Sequence, residues 1–309
     1  MSNAIASTLR ETLRTRLEPE AAGWLDAAVA SVTASADALA QAFTEAARRC
    51  GRGQLLEAGE RASLAIGPFS EVSLGGWRRG DAARAVLLLA DAARDAAHPL
   101  AWAAARYFSG DAQERISLVR AFGLLPGAGV DAAPSDEPGM NTAADTPRVA
   151  ALRAVLDACR QNHAQLFDAA TAGNPFFSAA APELEFNKAV LKRVFLDLPA
   201  DVVLGLAARA NKELSRMLLN LVEEREVTLR PWPIECLPII ARCPSAGFVA
   251  RLIGGIEHAD DQIRLSAAKA LLVLPDGAGK AAAAYAADRA TRERRPEVVE
   301  VLEQVAKLR

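Results

Sequence analysis

The sequence has few of the residues that build disulfide frameworks or local metal sites. Its four cysteines lie at positions 50, 159, 236 and 243, and its three histidines at positions 98, 163 and 258. Cys236 and Cys243 stand two turns apart if they share a helix, which is too far for a disulfide bond. The histidines lie too far apart in the sequence for a local zinc-binding pattern. We therefore predict reduced, mostly core-filling thiols, no metal site and no cofactor.

The chain also lacks the charge excess and the long apolar runs of proteins that bind nucleic acids or span membranes. Its formal net charge of -2 provides no basic field for a phosphate backbone. No apolar run approaches the roughly 20 residues of a membrane span. The N-terminus has no charged start followed by an apolar run. We expect a cytoplasmic protein without a nucleic-acid partner, whereas peripheral membrane association and the oligomeric state stay open.

Aromatic residues are scarce, and alanine and leucine take their place. Aromatics make up 5% of a chain that is 51% hydrophobic, a composition that favours closely packed helices over β-sandwiches or barrels. Residues 260–274, DDQIRLSAAKALLVL, resemble the second half of a HEAT-type helical repeat, in which small alanines let helices stack closely. We predict an all-α fold, an α-solenoid-like stack of antiparallel helices with HEAT-like C-terminal repeats. An irregular helix bundle is the second alternative.

The clearest break in the helical pattern lies at residues 127–147. Their glycine, proline, aspartate and alanine content cannot bury enough surface to order the segment. We predict a mobile loop or insertion there, between an N-terminal helical part (1–126) and a C-terminal helical part (148–309) of one continuous solenoid-like domain. Residues 54–74 have an ambiguous pattern.

Polar residues predict where several helices begin. Asp81 precedes the alanine- and leucine-rich residues 82–94, and Asn211 precedes another helix with Glu213 in its first turn, so both are natural N-terminal caps. From Leu152 to Phe167, apolar residues recur at helical spacing and include His163, which predicts one continuous stripe.

Residues 160–225 place polar side chains among otherwise apolar helical patterns. Asn187 shares a helical face with Val190 and Val194, where its amide either bonds a neighbouring helix end or faces a ligand. Lys188 and Lys192, one turn apart, either hold an anionic group or form a solvated face. The candidate ligand-binding residues are Arg160, Asn162, His163, Asn187, Lys188, Arg209, Asn211 and Arg216.

Two of these candidates have further competing interpretations. His163, within its apolar stripe, is either a satisfied core residue or a catalytic group. Arg216 and Asn220, one turn apart, belong either to an interhelical network or to the polar floor of a groove. The sequence contains no Gly-rich phosphate loop, nucleophile elbow, metalloprotease helix or kinase motif, so we assign no catalytic residue.

Short motifs follow one another in a characteristic order between Trp77 and Arg225. They are Gly76-Trp77, Asp81-Ala82-Ala83-Arg84, Leu124-Leu125-Pro126, Arg160-Gln161-Asn162, Leu166-Phe167-Asp168-Ala169, Asn174-Pro175-Phe176, residues 187–195, Arg209-Ala210-Asn211, Leu214-Ser215-Arg216-Met217 and Glu224-Arg225. In their order and spacing these motifs resemble the EboA family. The chain departs from the family pattern at Gln161, Phe186 and Lys188, where the family usually has threonine, tryptophan and glutamine.

The resemblance implies a role in making or exporting a small metabolite. EboA-like proteins are encoded beside a UbiA-like prenyltransferase, a TatD-like hydrolase, a sugar-phosphate isomerase-like protein and a dehydroquinate-synthase-like cyclase. Such clusters are linked to an isoprenoid-related or cyclitol-related metabolite. The implied partners are a cluster-encoded enzyme or a small anionic or isoprenoid-related metabolite.

Three hypotheses about function follow from the sequence, and one of them, a generic HEAT-like adaptor with no small ligand, depends on the C-terminal repeat alone. The first is a non-catalytic helical scaffold or binding protein of such a metabolite pathway. The alternative is an enzyme or small-metabolite carrier with a polar groove around Arg160, Asn162, Asn187 and Arg209.

Overall fold

The computed structural model describes residues 2–130, 146–245 and 247–308. The described chain is mostly helical and divides into two compact units, Met1–Glu185 and Phe186–Arg309. Most of the predicted loop, residues 131–145, lies outside the described residues. The predicted division at 127–147 therefore stays a prediction, as does the solenoid-like stacking.

The first unit combines helices with one β-hairpin. Asp111 caps one of these helices, because its side chain accepts the Glu114 N–H at 2.8 Å. The elements are α1 (Ser2–Arg14), α2 (Pro19–Ala34), α3 (Asp37–Cys50), β1 (Ser63–Ile66), β2 (Phe69–Ser73), α4 (Arg79–Arg94), α5 (His98–Ser109), α6 (Ala112–Ala121), a 3₁₀ turn (Phe122–Leu124), α7 (Pro147–Arg160), α8 (Ala164–Thr171) and α9 (Pro175–Ala180).

The β-hairpin shows that the prediction of an all-α chain is wrong in one segment. Strands β1 and β2 pair antiparallel, with Leu64 opposite Val72. Leu64 and Ile66 are buried while their neighbours in β1 are exposed, which is the alternation of a half-buried strand. The alternation spans only four residues, so the sequence pattern left this segment ambiguous.

Helix α4 is buried on nearly all sides and forms the centre of the first unit. It packs against α1, α2, α3 and α6, and the residues from Gly80 to Leu89 are buried. A Cβ atom added to Gly80 would lie 3.0 Å from the Cα of Ala47. Small residues at these two positions therefore allow the close approach of α3 and α4.

Asp81 supports the start of α4 from inside the helix, so the prediction that it precedes the first turn is wrong. The helix begins at Arg79, three residues earlier than predicted, and Asp81 Oδ2 accepts the Arg78 N–H at 3.0 Å. The carboxylate is fully buried. It also accepts hydrogen bonds from Gln113 Nε2 (2.8 Å) and Ser117 Oγ (2.7 Å), and pairs with Arg120 at 2.5 Å.

The second unit is helical throughout its described residues. The predicted cap of its long helix α12 is confirmed, because Asn211 Oδ1 accepts the Leu214 N–H at 2.8 Å. The elements are α10 (Glu183–Phe195, which begins in the last residues of the first unit), α11 (Leu206–Arg209), α12 (Lys212–Val227), a 3₁₀ turn (Ile234–Cys236), α13 (Leu237–Arg242), α14 (Phe248–Gly255), α15 (Asp261–Leu272), α16 (Asp276–Ala290) and α17 (Pro296–Ala306).

Small residues and ion pairs connect the C-terminal helices. A Cβ atom on Gly255 would lie 2.9 Å from the Cβ of Ala267, so α14 and α15 meet at two small residues. Arg264 on α15 and Arg289 on α16 each reach Glu293 at 2.8 Å. These contacts are of the kind predicted for the HEAT-like segment, although they do not establish a repeat.

Candidate functional site

The predicted continuous helical stripe from Leu152 to Phe167 is wrong, because the helix is interrupted just before His163. Helix α7 ends at Arg160 and α8 begins at Ala164. His163 has an extended backbone, and its Nδ1 atom accepts the Leu166 N–H at 3.2 Å. The imidazole is exposed rather than part of the core, because it takes the place of an N-terminal cap. Asn162 is also exposed, and Arg160 pairs with Glu185 at 3.1 Å.

Asn187 and Asn211 form a reciprocal pair of amides that joins α10 to the start of α12. Each side chain donates from Nδ2 to the Oδ1 atom of the other at 3.1 Å. Asn187 is only 1% exposed, and Asn211 Oδ1 also accepts the Leu214 N–H. Asn187 thus bonds the end of a neighbouring helix, which is one of the two interpretations that the sequence allowed.

Replacing Asn187 with alanine is expected to destabilise the protein by about 1–3 kcal/mol, because the Asn211 amide would lose a buried partner. Urea unfolding followed by circular dichroism measures this loss. The matched control is Asn220→Ala, which removes an exposed amide from the same unit and should change stability by less than about 0.5 kcal/mol. Equal losses in the two variants would contradict the structural role of Asn187.

The remaining predicted residues of the second unit have different surroundings. The Arg209 guanidinium lies 4.0 Å from the centroid of the Phe186 ring, and the Arg209 carbonyl accepts from Asn211 Nδ2. Arg209 therefore adjoins the amide pair. Arg216 bonds Glu213 in its own helix at 2.6 Å, and this arginine holds the pKa of the Glu213 carboxyl below its usual value. The ligand-binding role of all eight residues stays a prediction.

Lys188 lies on a shallow depression between α10 and α12, the α10–α12 groove. Its volume is about 550 Å³. Asn220 also lines this groove, as one of the two interpretations of Arg216 and Asn220 predicted. Arg216 does not line it. The lining residues are Lys188, Leu191, Lys192, Phe195, Met217, Asn220 and Leu221.

A larger groove in the second unit, the α11–α13–α15 groove, contains none of the predicted site residues. Its volume is about 760 Å³. Its walls are mainly aliphatic, and its charged residues are exposed ones at the rim. The aliphatic lining consists of Val203, Leu204, Leu206, Ala207, Ala208, Ile234, Pro238, Ile239 and Leu265. The polar lining consists of Asp201, Glu235, Arg242, Gln262, Ser266 and Lys269, and Gly205 completes the set.

Side-chain bonds to backbone carbonyls position the walls of this groove. Ser266 Oγ on α15 donates to the Ile234 carbonyl, which holds the start of the 3₁₀ turn against the middle of α15. Cys243 Sγ, just after α13, donates to the Ala210 carbonyl at 3.4 Å. Gly205 begins α11 with φ +70°, a left-handed conformation that favours glycine. The two bonds thus tie the 3₁₀ turn before α13 to α15, and the end of α13 to the end of α11.

Sequence reasoning missed this groove because its residues form no motif. Val203, Leu204 and Leu206 read as ordinary core residues, and the residues of α15 are about sixty positions away in the chain. The available signal was the Leu204-Gly205-Leu206 turn between Asp201 and Arg209, where a short apolar segment does not extend into a full helix.

The four cysteines are free thiols, and three of them, Cys50, Cys159 and Cys236, are buried as predicted. Burial raises the pKa of the Cys50 thiol to about 11 and also raises the pKa of Cys236. Among the described residues, no group of histidine, cysteine and acidic side chains could hold a metal ion. In the same residues, no helix combines the length and apolarity that crossing a bilayer requires.

Comparisons with known proteins found a family model that is similar to one part of the chain. Residues 144–240 match the family model described as metabolite traffic protein EboA. No curated protein and no solved structure matches the chain. The matched segment contains the Asn187–Asn211 pair, the α10–α12 groove, helix α11 and most of α13. Over this segment, the chain is similar to the EboA family.

Proposed function

We propose that the protein is a non-catalytic binding protein for a small, largely apolar metabolite, which it holds in the α11–α13–α15 groove. The observation that carries the proposal is the size and lining of this groove. Its volume of about 760 Å³ falls within the roughly 300–1,000 Å³ of small-molecule sites. The family description, metabolite traffic protein, agrees with binding and transfer of a metabolite.

The lining favours an isoprenoid-related ligand over a cyclitol-related one. Apolar ligand surface gains roughly 25 cal/mol per Å² when it leaves water, and the walls contributed by Leu206, Ile239 and Leu265 can supply that burial. The hydroxyl groups of a cyclitol would lose hydrogen bonds to water that aliphatic walls cannot replace. Arg242 and Lys269 at the rim can contact a polar end of the ligand.

The alternative polar groove around Arg160, Asn162, Asn187 and Arg209 has less support. The amides of Asn187 and Asn211 bond to each other, and the Arg160 guanidinium pairs with Glu185. A ligand at these residues would have to replace contacts that hold helix ends, which reduces the binding energy available.

Native mass spectrometry tests the proposed function directly. The protein is expected to retain a small apolar molecule after purification, or to bind added farnesol as a prenyl-chain probe, and not to bind myo-inositol. Retention of inositol with no binding of farnesol would exclude the proposed ligand class. Binding of neither probe, together with no retained molecule, would contradict the function itself.

Filling the groove should abolish this binding. Ala207→Trp places an indole on the α11 wall and is expected to weaken farnesol binding by at least about tenfold, because steric overlap removes apolar contacts. The matched control is Ala287→Trp, an equal substitution at an exposed alanine of α16 that is not part of the groove. Calorimetric titration of both variants gives the comparison. Equal affinities would place the ligand elsewhere.

A further inference from the structure

The ends of α10 and α12 expose large apolar side chains to solvent. Val227 and Leu229 are 85% and 93% exposed, and Phe195 and Leu196 are 55% and 45% exposed. We call these four residues the apolar tip. Exposed large apolar side chains that occur singly are common on protein surfaces, whereas a cluster marks an interaction surface.

Arg225 holds the two helix ends of the tip together. Its Nη2 atom donates to the carbonyls of Val194 (3.2 Å) and Phe195 (3.3 Å) at the end of α10. Its Nη1 atom pairs with Asp197 at 2.8 Å. Because the Arg225 side chain is buried, these bonds fix the position of the end of α12 against the end of α10. The four apolar side chains therefore project from two helix ends that lie close together.

The backbone at the tip adopts conformations that are unfavourable for the residues present. Leu229 and Asp197 have φ values of 55° and 56°, in the left-handed region that glycine prefers and bulky residues avoid. Leu229 nevertheless carries an aliphatic side chain that gains almost no burial within the chain. The exposure would be compensated if the leucine side chain enters an apolar environment outside the protein.

The apolar tip continues into the α10–α12 groove through Phe195, which belongs to both. Lys188 and Lys192 lie on this groove. The carboxylates of Asp197 and Glu226 near the tip bond to Arg225 and Arg251. Glu224 is exposed on α12 and opposes the positive charge. The surface thus combines projecting apolar side chains with lysines on one helix.

We propose that this surface docks the protein on an anionic lipid bilayer, with the apolar tip inserted among the acyl chains and Lys188 and Lys192 at the headgroups. Insertion removes individual apolar side chains from water, which favours binding. Each lysine near an anionic surface adds electrostatic attraction. A second copy of the chain fits this surface less well than a bilayer does. Four side chains would bury far less area than the roughly 800 Å² per partner of a stable protein interface.

Vesicle flotation tests the proposal with the 309-residue chain. The protein should float with vesicles of equal parts phosphatidylcholine and phosphatidylglycerol, and its bound fraction should be at least about fivefold lower with phosphatidylcholine alone. Val227→Ser with Leu229→Ser should reduce binding to the anionic vesicles by at least about tenfold. Lys188→Gln with Lys192→Gln should remove the preference for anionic vesicles.

The control variant is Tyr285→Ser, which removes another exposed large side chain from the second unit, on α16. It should float like the unchanged protein. Leu229→Gly is a second tip variant, because glycine suits the left-handed backbone and preserves the fold. Absence of flotation with both vesicles, or an equal loss in Tyr285→Ser, would overturn the proposal. A dimer in sedimentation that disappears in the tip variants would assign the surface to a second copy instead.

Discussion

Replacing Asp81 with alanine is expected to lower the free energy of unfolding by about 3–5 kcal/mol. The Asp81 carboxylate is fully buried and pairs with Arg120 at 2.5 Å. It also accepts hydrogen bonds from two side chains of α6 and from the backbone that starts α4. Alanine would leave the arginine with an uncompensated charge and would leave polar groups of both helices unpaired. Chemical unfolding followed by circular dichroism measures the change.

Two further variants separate the possible origins of this loss. Asp37→Ala removes an exposed aspartate from the first turn of α3 and should cost less than about 1 kcal/mol, the usual value of a charge near a helix N-terminus. Asp81→Asn keeps the shape and some of the hydrogen bonds and should have an intermediate effect. If Asp81→Ala and Asp37→Ala destabilise the protein equally, Asp81 does not organise the centre of the first unit.

Glu293 is expected to make the stability of the second unit depend on pH in the acidic range. Its carboxylate is 1% exposed and lies between Arg264 and Arg289. The bond from Arg264 is the main cause that lowers the pKa of Glu293 from 4.5 to about 2, with further contributions from the Arg295 and Arg294 N–H groups and from Arg289. Because the folded pKa lies below the unfolded pKa, the stabilisation is complete above pH 4.5. It is lost as the pH falls from 4.5 towards 2.

The size of this effect is about 3 kcal/mol, since each unit of pKa difference corresponds to about 1.4 kcal/mol. Urea unfolding of the unchanged protein and of Glu293→Gln at a series of pH values measures it. The difference between the two proteins should shrink as the pH falls below about 4.5, because protonation removes the charge that glutamine lacks. Glu303→Gln, at an exposed position of α17, serves as the control and should show a small, constant difference. A constant difference for Glu293→Gln would contradict the linkage.

Helix starts were predictable because a cap depends on residues within one turn. Asn211 was identified from its own neighbourhood, and it caps the expected helix. His163 shows the limit of the same reasoning. Its apolar spacing suggested a continuous helix, but three residues before Ala164 leave the helical conformation, and the imidazole replaces the usual hydroxyl or carboxylate cap. Periodicity alone does not distinguish one long helix from two short ones that preserve the same spacing.

Contacts between residues that lie far apart in the chain were harder to predict from the sequence. The α11–α13–α15 groove depends on how Leu206, Ile239 and Leu265 come together, and no local signal encodes that meeting. The Asn187–Asn211 pair could be predicted in part. Burial of Asn187 followed from its helical face, and the need for a partner followed from the cost of an unpaired amide. The identity of that partner required the fold.

The α11–α13–α15 groove extends beyond the segment that the family model matches. Helix α11 and most of α13 lie within residues 144–240, whereas Arg242 and the α15 wall lie beyond them. If the proposed ligand binds in this groove, substitutions at Leu265 and Lys269 would enlarge, narrow or recharge one side of it without changing any residue of the matched segment. The choice of ligand would then depend on a part of the chain that the family match does not cover.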